Sequence, residues 1–189
     1  MILPVHNEDI PLLDEAISSV LNQTFCDFEL LILNDGSQPE LAIHLVQVAQ
    51  SDPRIILHNW EHRGLTKTLN EAITLCKGDF IARMDADDVC MPERFEKQVA
   101  FLENNRDHAV VGSWAQFINE QGEGTWIKKY PTNHQEIKRV LVAHNRFTHA
   151  SLMFCAKKLR MLAGYNEKLK TAQDYDLLLR AAWHFKVAN

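Results

Sequence analysis

Gly78-Asp79-Phe80-Ile81-Ala82-Arg83-Met84-Asp85-Ala86-Asp87-Asp88 decides how the rest of the chain is read. Phe80 to Met84 is short, rich in apolar residues, bounded by Gly78 and closed by a polar cluster, which is the pattern of a buried strand. Three carboxylates then fall within four residues, Asp85 to Asp88. Like charges that close repel, so a cation must sit with them or one of them must keep its proton. A divalent ion held by oxygen ligands would satisfy them; a solvated acidic loop is the plainer alternative.

Working outward, the N-terminal half alternates. Ile2 to Val5 reads as a strand, followed by a helix from about Ile10 to Asn22 with Pro11 in its first turn. Phe28 to Leu33 suits a strand covered on both faces, and Asn34-Asp35-Gly36-Ser37 is a turn. A helix over Glu40 to Ala49, a strand over Arg54 to His58 and a helix from Leu65 to about Cys76 follow, with Gly78 as a left-handed cap. Strand and helix in alternation predict a mostly parallel α/β sheet, with its strand ends on one edge.

Pro92 opens a helix to about Asn104. Beyond about residue 106 the pattern changes. Ala109 to Ile118 is β-rich, Asn119 to Gly124 is a turn, and Thr125 to Tyr130 returns as a strand. Thr132-x-x-Gln135 reads as a capping box for a helix to about Ala143. Ala150 to Cys155 closes as a strand, a short helix ends at Gly164, and the last helix starts near Asp174. Without a repeat or linker, the two parts read as halves of one domain, about 1–105 and 106–189.

The 189 residues suit one domain with a good core. A hydrophobic content of 46% and a charged content of 24% are ordinary for a globular protein. The net charge of −5 argues against nucleic acid as a partner. Cys26, Cys76, Cys90 and Cys155 are scattered, as expected of reduced cytosolic thiols. No apolar run approaches the roughly 20 residues of a membrane span, and His6, Asn7 and Glu8 break any signal-peptide pattern. The short first strand and the apolar close, Trp183 to Asn189, suggest a piece of a longer protein.

In open α/β sheets ligands bind beyond the carboxyl ends of the strands. His6-Asn7-Glu8, Asn34-Asp35-Gly36-Ser37 and Asp85-Ala86-Asp87-Asp88 all fall at such ends. There is no G-x-x-x-x-G-K-[ST] and no G-x-G-x-x-G after a strand, so phosphates would be held by a metal ion and scattered basic groups.

Pro4-Val5-His6-Asn7-Glu8, the Asn34 to Ser37 turn, Asp85-Ala86-Asp87-Asp88 with Met91-Pro92-Glu93-Arg94-Phe95, and Gln173-Asp174-Tyr175-Asp176 resemble the ordered motifs of family 2 glycosyltransferases. The resemblance runs over nearly the whole chain. It implies the GT-A fold: a Rossmann-like, mostly parallel sheet with helices on both faces and a mixed, β-rich acceptor half. It also implies an inverting hexosyl- or N-acetylhexosaminyltransferase that moves a sugar from a nucleotide-sugar donor to a saccharide or lipid-linked acceptor, using Mg²⁺ or Mn²⁺.

By the same resemblance Pro4, Val5 and Asn7 would line the base and ribose pocket, with Glu8 supporting the turn. Asp35 would accept from the base N–H, favouring a UDP-sugar over a dTDP-sugar. Asp85 and Asp87 form the D-x-D motif, Asp85 near the ribose and metal and Asp87 on the metal, with Ala86 between them in the donor-binding set and Asp88 as a brace. Asp174 would be the general base, against the simpler role of a helix cap; for Asp176 the structural role is preferred. Arg63 is a candidate for base or phosphate, Lys67 a weaker one.

His149 could line the acceptor side or be structural, and Trp114, Trp126 and Tyr130 could form a sugar platform or pack as core. Gln173 stands where the family usually has an acidic residue, and His6 where it has another aromatic. Work at the cytosolic face of a membrane, with peripheral association, follows from the resemblance alone. Two alternatives stand beside it: a non-catalytic nucleotide-sugar binder, and a haloacid-dehalogenase-like phosphatase, in which the acidic loop should follow the first strand.

Overall fold

A computed structural model describes residues 1–119 and 122–189; Glu120 and Gln121, in the expected Asn119 to Gly124 turn, lie outside the described residues. The N-terminal half is built from β1 (Ile2–Val5), α1 (Ile10–Leu21), β2 (Leu30–Asp35), α2 (Pro39–Ser51), β3 (Ile55–Trp60), α3 (Leu65–Leu75), β4 (Phe80–Ala82) and α4 (Arg94–Asn104). The chain continues through β5 (His108–Val111), β6 (Ala115–Ile118), β7 (Gly124–Lys128), α5 (His134–Leu141), β8 (Met153–Cys155), α6 (Ala156–Met161), α7 (Gln173–His184) and β9 (Lys186–Ala188).

β1 pairs in parallel with β2, and β2 with β3, in the register Leu3 to Ile32 to Leu57. A parallel bridge from Ile2 to Arg83 carries the sheet onward to β4. β8 runs antiparallel between β4 and β5, and β9 pairs in parallel with β5. The hydrogen-bonded order is therefore β3, β2, β1, β4, β8, β5, β9, parallel in the first half and mixed in the second. β6 and β7 form a separate antiparallel ribbon.

Period-two alternation divides β2 between two cores. Leu31 and Leu33 join Leu69, Ala72 and Ile73 of α3 and Leu177, Leu178 and Ala181 of α7 on one face. Leu30 and Ile32 join Leu13, Ile17 and Val20 of α1 and Leu41 and Leu45 of α2 on the other. Burying each leucine side chain stabilises the fold by about 2 kcal/mol, which is why the run reads as continuously apolar.

Several expected boundaries shift, each for a local reason. Gly78 is not a left-handed cap: α3 ends at Cys76, whose φ of −60° and ψ of 131° are extended, and Lys77 N–H donates to the Glu29 carboxylate at 2.8 Å, drawing the chain straight out. Pro92 stays outside α4, its carbonyl accepting from Thr24 N–H at 2.9 Å. Asn133, not Thr132, caps α5, accepting from Glu136 N–H at 3.0 Å. The β-rich run 109–118 is two strands rather than one, broken where Gly112 N–H turns to Ala188 and Ser113 N–H to the Ser151 hydroxyl. A Cβ at Gly112 would lie 2.3 Å from Asn189 Oδ1 and 2.9 Å from Phe147 Cδ1, so a side chain there would have to push both aside. The expected strand from Ala150 starts only at Met153, after a 3₁₀ turn at His149–Ser151.

Candidate active site

The ends of β1 and β2 are locked to each other and to the loop before α3. Asp35 is 3% exposed. Its two carboxylate oxygens accept from the backbone N–H groups of Arg63 and Gly64, each at 2.9 Å. His62 Nδ1 lies 3.1 Å from Oδ2. Gly36, at φ +74°, carries the chain under this loop, where a Cβ would sit 2.5 Å from His62 N. At the end of β1, Asn7 takes a φ of 59°; its Oδ1 accepts from Gln38 N–H at 2.8 Å and its own N–H donates to the Ser37 hydroxyl.

Burial works against ionisation of Asp35, but the Arg63 and Gly64 N–H donors and His62 outweigh it and hold the carboxyl below its ordinary 3.8. A depressed carboxyl contributes stability that is present above its unfolded pKa and lost as the pH falls through the folded one. Asp35→Asn should therefore lower stability by about 1–3 kcal/mol at neutral pH, because one N–H of the loop then faces an amide donor. Chemical denaturation measures this, and the deficit should shrink below pH 3.8.

The other expected donor residues divide. Pro4 and Val5 are buried within β1, Val5 in the core layer against α1 and α2. Arg63 stacks over Trp60 at 3.8 Å and lies 3.7 Å from Glu71; with Lys67 it lines a shallow cleft. Ala86 is buried.

Beyond β4, Asp85 receives the Arg83 guanidinium on both oxygens, Nη1 to Oδ2 at 2.8 Å and Nη2 to Oδ1 closer still. Arg83 is only 2% exposed, and its carbonyl is held by Arg94 Nη2 at 2.8 Å. Asp87 and Asp88 reach solvent. Partial burial, then Asp85 and Asp87, push the Asp88 carboxyl up to about 6. Glu8, at the β1 end, is raised by desolvation first and by Asp87 next. Four carboxylates from two strand ends thus share one field, with Arg83 countering it. Carboxylate oxygens are the ligands a hard divalent ion takes, but among the described residues only His6, Asp35 and His62 bring three potential ligand atoms within 4.8 Å of one another.

Asp174 lies in the first turn of α7, behind the left-handed Ala172 at φ 59°. Asn145 Nδ2 donates to its Oδ2 at 3.0 Å, while Asn145 Oδ1 accepts from Phe147 N–H. Asp176 instead pairs with Arg180 at 2.7 Å, and Arg180 also holds the Leu162 and Gly164 carbonyls, a structural role. His149 Nε2 lies 2.9 Å from the Tyr165 hydroxyl. Burial, then Arg83, depress the His149 imidazole well below its usual range, so it is neutral. Burial raises the Tyr165 hydroxyl, with Arg83 opposing and Asp174 and Asp85 adding to it. The Tyr165 hydroxyl thus feels charge from both the β4 loop and the start of α7.

Trp114 and Trp126 are 45% and 53% exposed, whereas Tyr130 is buried. Trp126 stacks on Phe117 at 4.2 Å, and Trp114 Nε1 donates to the Tyr130 carbonyl. The two tryptophans are thus available as an apolar surface rather than spent in the core. Sequence reasoning passed over Arg83, Asn145 and His62. For Arg83 a signal was present: a cation inside an apolar strand must be paired.

The sequence model of glycosyl transferase family 2 matches residues 1–162, and the chain belongs to that family. It is 41% identical over 181 residues to the O-antigen biosynthesis glycosyltransferase WbnJ of Escherichia coli, covering 95% of this chain and 70% of that one. TarS of S. aureus, residues 1–349 in complex with UDP, superposes with a TM-score of 0.80 at 18% identity over 99% of this chain. The mannosyltransferase PcManGT of Pyrobaculum calidifontis, in complex with GDP-Man and Mn²⁺, gives 0.74 at 19% identity over the whole chain. This chain spans 56% and 53% of those two proteins. The fold is GT-A, as the motifs implied, and the phosphatase alternative falls with it. No helix among the described residues is long and apolar enough to cross a membrane.

Proposed function

We propose that the chain moves a sugar from a nucleotide-sugar donor, with UDP as the first choice of nucleotide, to a hydroxyl of a saccharide or lipid-linked acceptor, with inversion. The observation that supports this most is that Glu8, Asp85 and Asp87, at two strand ends, act on one another's charge, while the charges of Asp85 and Asp174, in the first turn of α7, both reach the buried Tyr165 hydroxyl. The strand ends carry the negative charge needed to hold a cation, which in turn would bind the diphosphate; α7 carries a carboxylate on a separate element. An inverting transfer needs its base on the face opposite the leaving group.

Asp174 Oδ1 would take the acceptor hydroxyl proton, since Oδ2 is held by Asn145. As that proton leaves, the acceptor oxygen bonds to the anomeric carbon and the bond to the diphosphate oxygen breaks, with the electron pair passing to the diphosphate. Asp174 sits in the first turn of α7, where the positive end of the helix favours negative charge. Asp87, exposed, would hold Mg²⁺ or Mn²⁺, whose charge would offset that developing on the diphosphate. Asp85, fixed by Arg83, would meet the ribose and the same ion. Asp35, with Pro4, Val5, Asn7 and Arg63 about it, would face the base through an oxygen lone pair left over by its backbone donors. Trp114 and Trp126 offer a platform for the acceptor.

Thermal unfolding against a panel of nucleotide sugars tests the reading. A bound donor at 100 times its Kd should add about 2.7 kcal/mol of stability, in Mn²⁺ and not in chelator. No stabilisation by any nucleotide sugar would reject it.

A further inference from the structure

Two imidazoles and a carboxylate converge at the end of β2. One donor atom from each of His6, Asp35 and His62 lies within 4.8 Å of the other two. The His62 Nδ1 to Asp35 Oδ2 separation of 3.1 Å is close to the edge of a ligand tetrahedron around a small ion, roughly 3.3 Å for bonds of about 2.0 Å. The frame is rigid. Asp35 is tied to the Arg63 and Gly64 N–H groups, the His62 backbone rests on Gly36, and Asn7 beside His6 is fixed to Ser37 and Gln38. The two rings stack with centroids 4.2 Å apart, and the His62 side chain is 58% exposed, so an ion can enter from solvent.

Both Nδ1 atoms also face the Asp35 carbonyl oxygen, at 2.8 and 3.1 Å, whose two lone pairs can accept from both rings when no ion is bound. We propose that His6, Asp35 and His62 bind a borderline transition-metal ion, Zn²⁺ or Co²⁺ in kind, at a site made of different residues from the acidic loop. The chemistry separates the two: imidazole nitrogens select Zn²⁺ and Co²⁺, while carboxylates and water suit Mg²⁺ and Mn²⁺. On the glycosyl-transfer reading, this ion occupies the base pocket and opposes donor binding, making the site inhibitory.

The test is Zn²⁺ calorimetry on Asp87→Ala, which removes the acidic-loop ligand, with the exposed Cys26 replaced by serine throughout. Replacing either histidine by alanine should weaken Zn²⁺ binding about tenfold or more, and by glutamine equally, because glutamine keeps a hydrogen-bonding group but lacks the imidazole. Co²⁺ should give visible absorption that disappears in the same variants. Unchanged Zn²⁺ affinity in the His6→Ala/His62→Ala double variant would overturn the site. No nucleotide is present in this experiment, so its result is independent of the transferase reading. In a second arm, with Asp87 restored and Mg²⁺ present, Zn²⁺ should weaken UDP binding at least tenfold in the parent and not in the double variant. Equal UDP affinity with and without Zn²⁺ would overturn the inhibitory role.

Discussion

Asp174→Asn should reduce sugar transfer by about 10²–10⁴-fold, the usual contribution of a positioned general base, while the donor binds as tightly as before. The substitution preserves volume, and the new side-chain carbonyl can still accept from Asn145 Nδ2, now 3.0 Å from Asp174 Oδ2. The geometry is kept and only the proton acceptor is lost. Removing a negative charge from the first turn of α7 costs about 0.3–1 kcal/mol of stability, too little to unfold a domain with two packed layers. Measuring kcat beside donor Kd decides the matter: turnover within about threefold of the parent would exclude Asp174 as the base, and a matching loss of donor affinity would make it a binding residue.

Asp87→Ala should abolish the Mn²⁺-dependent part of nucleoside diphosphate binding. In the parent, chelator should weaken UDP binding strongly; in the variant, UDP should bind weakly with or without Mn²⁺. Asp87 is the informative position because it is exposed, so its removal should change stability by less than about 0.5 kcal/mol. The change also relieves Glu8 and Asp88, whose carboxyls Asp87 raises. Asp85 is a poorer probe, since removing it leaves the buried Arg83 guanidinium without its carboxylate partner, and lost binding could then reflect a disturbed fold. Equal UDP affinity of parent and Asp87→Ala in Mn²⁺ would remove Asp87 from the metal site.

Much of this was legible in the sequence because the signals are local. The apolar stripes of α1, α3 and α7 repeat at helical spacing, and β2 is apolar on both faces, so each element and its layer follow from periodicity. The acidic loop after β4 and the turn ending β2 were recognisable as strand-end clusters, because a parallel sheet places such ends on one edge. The short, antiparallel β8 and the final β9 were harder. Three residues in each carry too little pattern, and only pairing makes them strands, β8 with β4 and β5 and β9 with β5. The Asn133 cap was missed for a similar reason: the Thr132 carbonyl is engaged by Asn189 N–H from the far end of the chain.

The sequence by itself determined the family, the alternation that makes a parallel sheet, and the carboxylates at its edge, since these depend on residue type and on spacing along the chain. The tertiary structure alone decided which carboxylates are already engaged. Asp35 holds the loop before α3, Asp85 is gripped by Arg83 and Asp174 by Asn145, while Asp87 is left facing solvent. The physical reason is distance along the chain. Arg63 and Asn145 meet their carboxylates from 28 and 29 residues away, and no local pattern encodes a hydrogen bond that exists only once the sheet has brought both ends together.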